Sequence, residues 1–200
     1  MTGRFVAFEG GEGSGKSTQA KRLADRLGAV LTREPGGTAV GARIRSLVLD
    51  PATTGLADRA EALLMAADRA QHVEQVVRPA LAAGRDVVTD RFFGSSLAYQ
   101  GFGRGLPVGD LRRLSLWATA GLEPDLVVLL DVPEEVAVAR LTAAPDRVEA
   151  AGAEFHRAVR AGFRELAREH ADRWVVVDGT PAPAEVEASV LAVVCERLGR

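Results

Sequence analysis

The residues best equipped for chemistry stand in one run, Gly10-Gly11-Glu12-Gly13-Ser14-Gly15-Lys16-Ser17, with Thr18 next. The run has Walker A spacing. Gly10, Gly13 and Gly15 let the backbone turn tightly, so that successive N–H groups point inward at phosphate oxygens. A helix opening near Lys16 adds the positive end of its dipole. Lys16 supplies a mobile cation for the β- and γ-phosphates of ATP, and the Ser17 hydroxyl is placed to ligate Mg²⁺. The chain is rich in arginine and has two lysines, Lys16 and Lys21, so a lysine kept at this point invites a specific explanation.

Three further segments carry candidate site residues. Thr32-Arg33-Glu34-Pro35-Gly36-Gly37-Thr38 is a loop shaped by proline and paired glycines. It presents Arg33 and Glu34. Asp90-Arg91-Phe92-Phe93-Gly94-Ser95-Ser96-Leu97-Ala98-Tyr99-Gln100-Gly101 begins with a carboxylate suited to holding Mg²⁺ through water. Arg91 has the planar fork that clamps an acceptor phosphate, and Ser95, Ser96 and Tyr99 can line a sugar pocket. In Leu63–Arg69 the i,i+4 spacing sets Met65 and Arg69 on one helix face, one to cover a flat base and the other to bond its edge.

These residues need elements to hold them. Strand-length apolar runs recur at Arg4–Glu9, Ala29–Arg33, Asp86–Asp90, Leu126–Asp131 and Arg173–Asp178. They lack polar alternation, which suits parallel strands covered on both faces. Helix-period segments lie between them. Ser17–Leu27 groups Ala20, Leu23, Ala24 and Leu27, and Ala57–Ala83 is a long stretch interrupted by Pro79. Asp110 caps a helix to about Ala120, Pro133 opens another, and Ala150–His170 and Ala184–Leu198 follow. The alternation predicts one α/β domain over residues 1–200 with right-handed crossovers. Glu9, Arg33, Asp90 and Asp131 end strands, and in such sheets ligands bind at the carboxyl ends. These charges are therefore expected to face a shared site.

Bulk properties narrow the function classes. The 200 residues are 47% hydrophobic and 26% charged, with net charge −2, so a broad basic field for nucleic acid is not expected. The single cysteine, Cys195, excludes an intramolecular disulfide and a thiolate metal cluster, and its apolar surroundings predict a small buried hydrophobe. No run approaches membrane-spanning length and no signal-peptide core follows Met1. A cytoplasmic protein is expected.

The ordered set resembles bacterial thymidylate kinases. Phe8-Glu9-Gly10-Gly11-Glu12-Gly13-Ser14-Gly15-Lys16-Ser17-Thr18, the Arg-Glu-Pro-Gly-Gly-Thr loop, the Asp-Arg…Ser…Ala-Tyr-Gln-Gly segment and Glu123-Pro124-Asp125-Leu126…Leu130-Asp131-Val132 follow in order across nearly the whole chain. The resemblance implies a P-loop NTPase three-layer sandwich with a five-stranded parallel sheet, a short lid near residues 140–150, and usually a homodimer. It implies γ-phosphoryl transfer from ATP to dTMP, giving dTDP and ADP. Lys16 and the P-loop would bind ATP, with Ser17 and Asp90 at the metal. Glu12 would approach the acceptor's sugar and phosphate, and Arg91 with Arg45 would hold that phosphate. Glu34, Pro35, Ser95 and Ser96 would help line the acceptor site. Arg69 would contact the thymine edge, and Tyr99 would crowd the 2′ position.

The chain departs from the family in two places. Met65 stands where an aromatic commonly stacks on thymine. The lid, Arg140–Glu149, is short and poor in arginine, although Asp146-Arg147-Val148-Glu149 keeps the family pattern. With no arginine in the P-loop, the extra transition-state cation is expected from the lid, as Arg147 with Arg140 in reserve. The acceptor phosphate is already a nucleophile, so no histidine base is needed, and His72, His156 and His170 are expected at the surface or in packing. Two other readings stay open. One is a kinase for another nucleotide, which Met65 permits. The other is a nucleotide-gated switch ATPase, which has no need of an acceptor-phosphate clamp.

Overall fold

The computed structural model describes residues 2–141 and 144–199; Thr142 and Ala143 of the expected lid lie outside the described residues. Five strands, β1 (Phe5–Glu9), β2 (Val30–Arg33), β3 (Val87–Asp90), β4 (Leu126–Asp131) and β5 (Trp174–Asp178), form one sheet. The order is β2-β3-β1-β4-β5, and every pairing is parallel. Successive residues of the inner strands serve opposite faces, and both faces are apolar. Phe5, Ala7, Val127 and Leu129 join a core with Phe92, Leu97, Phe163 and Trp174. Val6, Phe8, Val128 and Leu130 join another with Leu23, Val186 and Val190.

The helices are α1 (Lys16–Leu27), α2 (Ala39–Leu49), α3 (Asp58–His72), α4 (Arg78–Ala82), α5 (Phe93–Ser96), α6 (Val108–Ala118), α7 (Glu134–Arg140), α8 (Ala153–Glu169) and α9 (Pro183–Leu198). Helix α1 starts at Gly15 and stops at Gly28, both in the left-handed region. The long stretch expected over Ala57–Ala83 is α3, a π-helical turn at Val73–Val77, and α4. Pro79 has no N–H for the preceding turn, and the helix widens just before it. A second π-helical turn, Leu97–Gly103, carries Tyr99 and Gln100.

Four sequence expectations change. Helix α2 was not foreseen, because its apolar spacing is weak; Thr38 caps it by accepting the Gly41 N–H at 2.9 Å. Helix α6 begins before Asp110, at Val108, with Pro107 as its cap residue, and Asp110 pairs with Arg113 instead. The helix expected at Ala150 splits into a short turn, Glu149–Ala151, and α8. Cys195 is exposed, not buried, because Val190 and Val194 take the inward positions of α9.

Strand register sets the site. Phe8 pairs with Asp90, and Arg33 pairs with Asp90 from the other side. The chain therefore leaves β1, β2 and β3 at one level, and three loops meet there.

Candidate active site

The Gly10–Ser17 loop folds as a cradle between β1 and α1. Gly13 has φ 71°, and a Cβ there would lie 2.3 Å from the Ala137 carbonyl oxygen, so only glycine fits. Gly15, at φ 90°, turns the chain into α1. Lys16 Nζ donates to the Gly11 carbonyl at 2.6 Å and to Ser14 Oγ at 3.3 Å. Burial, then the nearby Arg91, lowers its pKa to about 8. Ser17 and Thr18 follow at the exposed start of the helix.

Ser17 Oγ donates to Asp90 Oδ2. Asp90 Oδ1 is buried and has no partner among the described residues. A hydroxyl beside a carboxylate with an orphaned oxygen, next to a phosphate cradle, is the donor chemistry that Mg²⁺ prefers. These residues fit that ion.

Arg91 stands at the junction of the loops with φ 71°, a strained conformation for a residue with a side chain. Its guanidinium donates to the Gly10 carbonyl at 2.9 Å, Ser95 Oγ at 3.0 Å, Tyr99 Oη at 3.1 Å, and the Glu12 carboxylate. Tyr99 Oη donates to Glu12 at 3.0 Å. Burial works to raise the Glu12 pKa, but Arg91 and Lys16 outweigh it and hold the carboxyl at about 2. Beneath Arg91, Glu9 accepts from the backbone N–H groups of Phe92 and Ser95 at 3.0 Å and from Ser95 Oγ at 2.6 Å. Burial raises the Glu9 pKa to about 7.

Across the cavity lies a polar floor. Arg69 Nε donates to Glu34 Oε2 at 2.9 Å, with Ser96 Oγ at 3.0 Å and Ser115 Oγ at 3.3 Å around its other nitrogens. His72 bonds Glu34 Oε1 at 2.8 Å and Thr32 Oγ1 at 2.7 Å. Asp68 accepts the Gly36 N–H at 2.9 Å; burial, then the charge of Glu34, raises its pKa to about 6. Arg45 donates to the Pro35 carbonyl at 3.1 Å. Burial, then repulsion from Arg33, lowers the Arg45 pKa.

One cavity of about 200 Å³ joins these parts. Glu12, Lys16, Ser17 and Asp90 line one end, and Arg33, Glu34, Pro35, Arg45, Met65, Arg69, Arg91, Ser95, Ser96 and Tyr99 line the rest with Leu49, Asp68, Phe92 and Gln100. Asp146, Val148 and Glu149 complete the wall from the lid side.

Some expected residues are placed elsewhere. Arg147 turns away from the cradle: Nε donates to the Val48 carbonyl at 2.6 Å and Nη2 to Glu61 at 2.5 Å. Arg140, the reserve, is the lid arginine at the P-loop. It reaches the carbonyls of Gly13 at 3.4 Å, Gly179 at 2.9 Å and Thr180 at 3.1 Å. Of the strand-end charges, Glu9 is sealed under the cavity, and Asp131 pairs with Arg164 at 2.9 Å. It faces a second cavity, beyond Gly11 and Glu12. Sequence reasoning missed the roles of Glu9, Glu61 and Asp68. The signal was an inner helix stripe, Glu61, Asp68, Arg69 and His72, that is buried yet polar, where an apolar stripe is the rule.

Comparison with known proteins identifies the family. The family model described as thymidylate kinase matches residues 8–190. Among similar curated proteins, the thymidylate kinase of Leifsonia xyli is 52% identical over 94% of this chain and 92% of its own length. That of Desulfovibrio desulfuricans is 50% identical over 91% and 90%, and that of Cutibacterium acnes 46% over the full length of both. The crystal structure of thymidylate kinase from Ehrlichia chaffeensis superposes with a TM-score of 0.82 at 29% identity, covering 97% of this chain and all of that one. By a match that runs from the end of β1 into α9, the chain belongs to the thymidylate kinase family.

Proposed function

We propose that this protein transfers the γ-phosphoryl group of ATP to dTMP, giving dTDP and ADP. The observation that carries the reading is the single cavity shared by the phosphate cradle and the arginine-lined acceptor pocket. A switch ATPase needs the first of these and not the second.

ATP phosphates lie along the N–H groups of Gly10–Thr18, with Lys16 at the β- and γ-phosphates. Ser17 and Asp90 hold Mg²⁺, which neutralises charge on the transferring group when bound. The acceptor phosphate lies between Arg91 and Arg45, with Arg33 beside them; the repulsion between Arg33 and Arg45 is relieved by an anion set there. Met65 covers the base, and Arg69 meets its edge with the N–H groups that Glu34, Ser96 and Ser115 leave over. Tyr99 is fixed by Glu12 and Arg91, so its ring crowds the 2′ position and favours deoxyribose. Glu12, held ionised, orients Arg91 and the sugar.

Phosphoryl transfer between two held phosphates requires in-line placement and cations and little covalent help. We place Arg140 at the transferring group as the lid cation because its guanidinium reaches the P-loop at Gly13, whereas Arg147 is bonded away from the cradle, at α2 and α3. Asp146–Glu149 shut water out. Among the described residues no helix is long and apolar enough to cross a membrane, and we place the reaction in the cytoplasm. We also propose a homodimer formed through α3 and α6, where Leu63 and Trp117 expose 58% and 79% of their surface.

The test is ADP formation from Mg-ATP with dTMP, dUMP, dCMP, dGMP, dAMP and UMP supplied in turn. Strong stimulation by dTMP with dTDP as product is expected. Preference for another monophosphate overturns the base assignment, and ADP release indifferent to every acceptor overturns the kinase reading.

A further inference from the structure

Glu61 is fully buried, yet its carboxylate gathers three donors from two other parts of the chain. Gln100 Nε2 donates at 2.8 Å from the π-helical turn, Arg104 Nη2 at 3.3 Å, and Arg147 Nη2 at 2.5 Å from the lid side. Glu61 itself stands on α3, one turn before Met65 and two before Arg69. Gln100 adjoins Tyr99.

Arg147 also closes the C-terminal end of α2. Its backbone N–H donates to the Leu49 carbonyl at 3.0 Å and its Nε to the Val48 carbonyl at 2.6 Å. The last carbonyls of a helix have no partner within it, so these bonds fasten Arg147 to the helix that carries Arg45. The neighbours of Arg147 form a tight turn: Asp146 Oδ1 accepts from Val148 N at 2.8 Å and Glu149 N at 2.9 Å, and Glu149 Oε2 accepts from Asp146 N at 3.0 Å. His156 Nε2 donates to the Glu149 carbonyl at 2.7 Å, tying the turn to α8. Asp146, Val148 and Glu149 all face the acceptor cavity, whereas Arg147 points into protein.

We propose that Glu61 and Arg147 form a latch that holds the Asp146–Glu149 turn over the acceptor cavity, making Arg147 a positioning residue for the acceptor monophosphate. Moving Arg147 to the cradle would strip a fully buried carboxylate of one cation and free two carbonyls of α2. The latch instead joins the helix carrying Arg45, the helix carrying Met65 and Arg69, and the turn carrying Tyr99. It therefore sets the distance between the phosphate clamp, the base floor and the roof. The ATP end, held by the P-loop backbone, lies outside its reach.

This inference rests on the acceptor reading above. The experiment is dTMP binding by calorimetry without ATP, together with steady-state kinetics varying dTMP and Mg-ATP separately. The proteins are the unaltered chain, Arg147→Ala, Arg147→Lys, Glu61→Gln and the Arg147→Ala/Glu61→Gln double variant, each with a thermal melt. Arg147→Ala is expected to raise the dTMP Kd and KM roughly tenfold, with the ATP KM and kcat within about twofold. Arg147→Lys recovers part of the loss. The double variant binds about as weakly as the worse single one, since one contact is lost either way. A kcat loss above a hundredfold at unchanged dTMP KM overturns the latch and returns Arg147 to the transition state. Unchanged dTMP affinity in folded Glu61→Gln overturns it too, and that variant keeps its volume should Arg147→Ala not fold. An unaltered chain that neither binds nor phosphorylates dTMP breaks the acceptor reading instead.

Discussion

The two ends of the cavity are built in opposite ways. At the cradle, polar groups are held in tension: Lys16 is buried with its pKa lowered to about 8, Asp90 keeps an unpartnered oxygen, and Gly10, Gly13 and Gly15 all have positive φ. At the acceptor floor, Arg69 is 2% exposed and Glu34 4%, and Arg69, Glu34 and His72 bond one another, with Asp68 Oδ2 beside them left without a partner among the described residues. Unmet polar capacity and a glycine backbone that frees its N–H groups mark a surface prepared for phosphate. A buried network of paired charges marks a platform largely built before its ligand. The same sheet edge thus provides one region kept open for phosphate and one held mainly by its own ion pairs.

The sharpest way to break this contrast is to open the floor. Arg69→Ala leaves the buried Glu34 carboxylate without its guanidinium, which costs about 3–5 kcal/mol. For a domain of this size the melting temperature should fall by about 6–20 °C, read by calorimetry; a shift within a degree or two would mean that the floor network is incidental.

Lys16→Ala should do the reverse. Turnover falls by about 10²–10³-fold, the cost of one transition-state donor. Below pH 8 the lysine is a buried charge whose folded pKa lies under its unfolded 10.5, so its removal should leave the melting temperature level or higher. A melting loss like that of Arg69→Ala would erase the distinction between the two ends.

Glu9 joins the ends, through Ser95 to Arg91, and its effect is expected to be intermediate. Its folded pKa of about 7 lies above the ordinary 4.5 of a glutamate, so the folded state holds a proton that the unfolded state has released. Its contribution to stability is therefore complete below about pH 4.5 and is lost as pH rises to about 7. Glu9→Gln removes that slope. Denaturant melts at pH 5 and 8 should show the variant gaining about 1–3 kcal/mol on the unaltered chain over the interval; parallel curves would mean Glu9 is ionised throughout.

The smallest expected effect is at Met65, which touches the floor without belonging to its network. Met65→Phe should lower the dTMP KM by about two- to tenfold through ring stacking, with kcat and the melting temperature nearly unchanged. A rise in KM would show that the thioether fills a space too narrow for a ring.

The strands were legible because each is a short apolar run bounded by turn residues, and the cradle because its glycines, Lys16 and Ser17 are contiguous. Helix α2 was not, since only Val48 and Gly41 of its residues are buried and its face carries little periodic signal. The placement of Arg147 was not legible for a related reason: a lid pattern gives the order of residues but not the direction of a side chain. That direction was decided by Glu61, 86 positions away along the chain.

The sequence by itself determined the sheet, the P-loop and the family, because these are written in local runs whose chemistry does not depend on distant partners. Tertiary structure alone decided which charges face the cavity. Glu9, Glu61, Asp68 and Arg147 are charged residues that sequence reasoning sends to ligands or solvent. Each is instead buried or part-buried on a partner from another element, since a polar group removed from water must be met by donors, acceptors or charges that the fold brings to it.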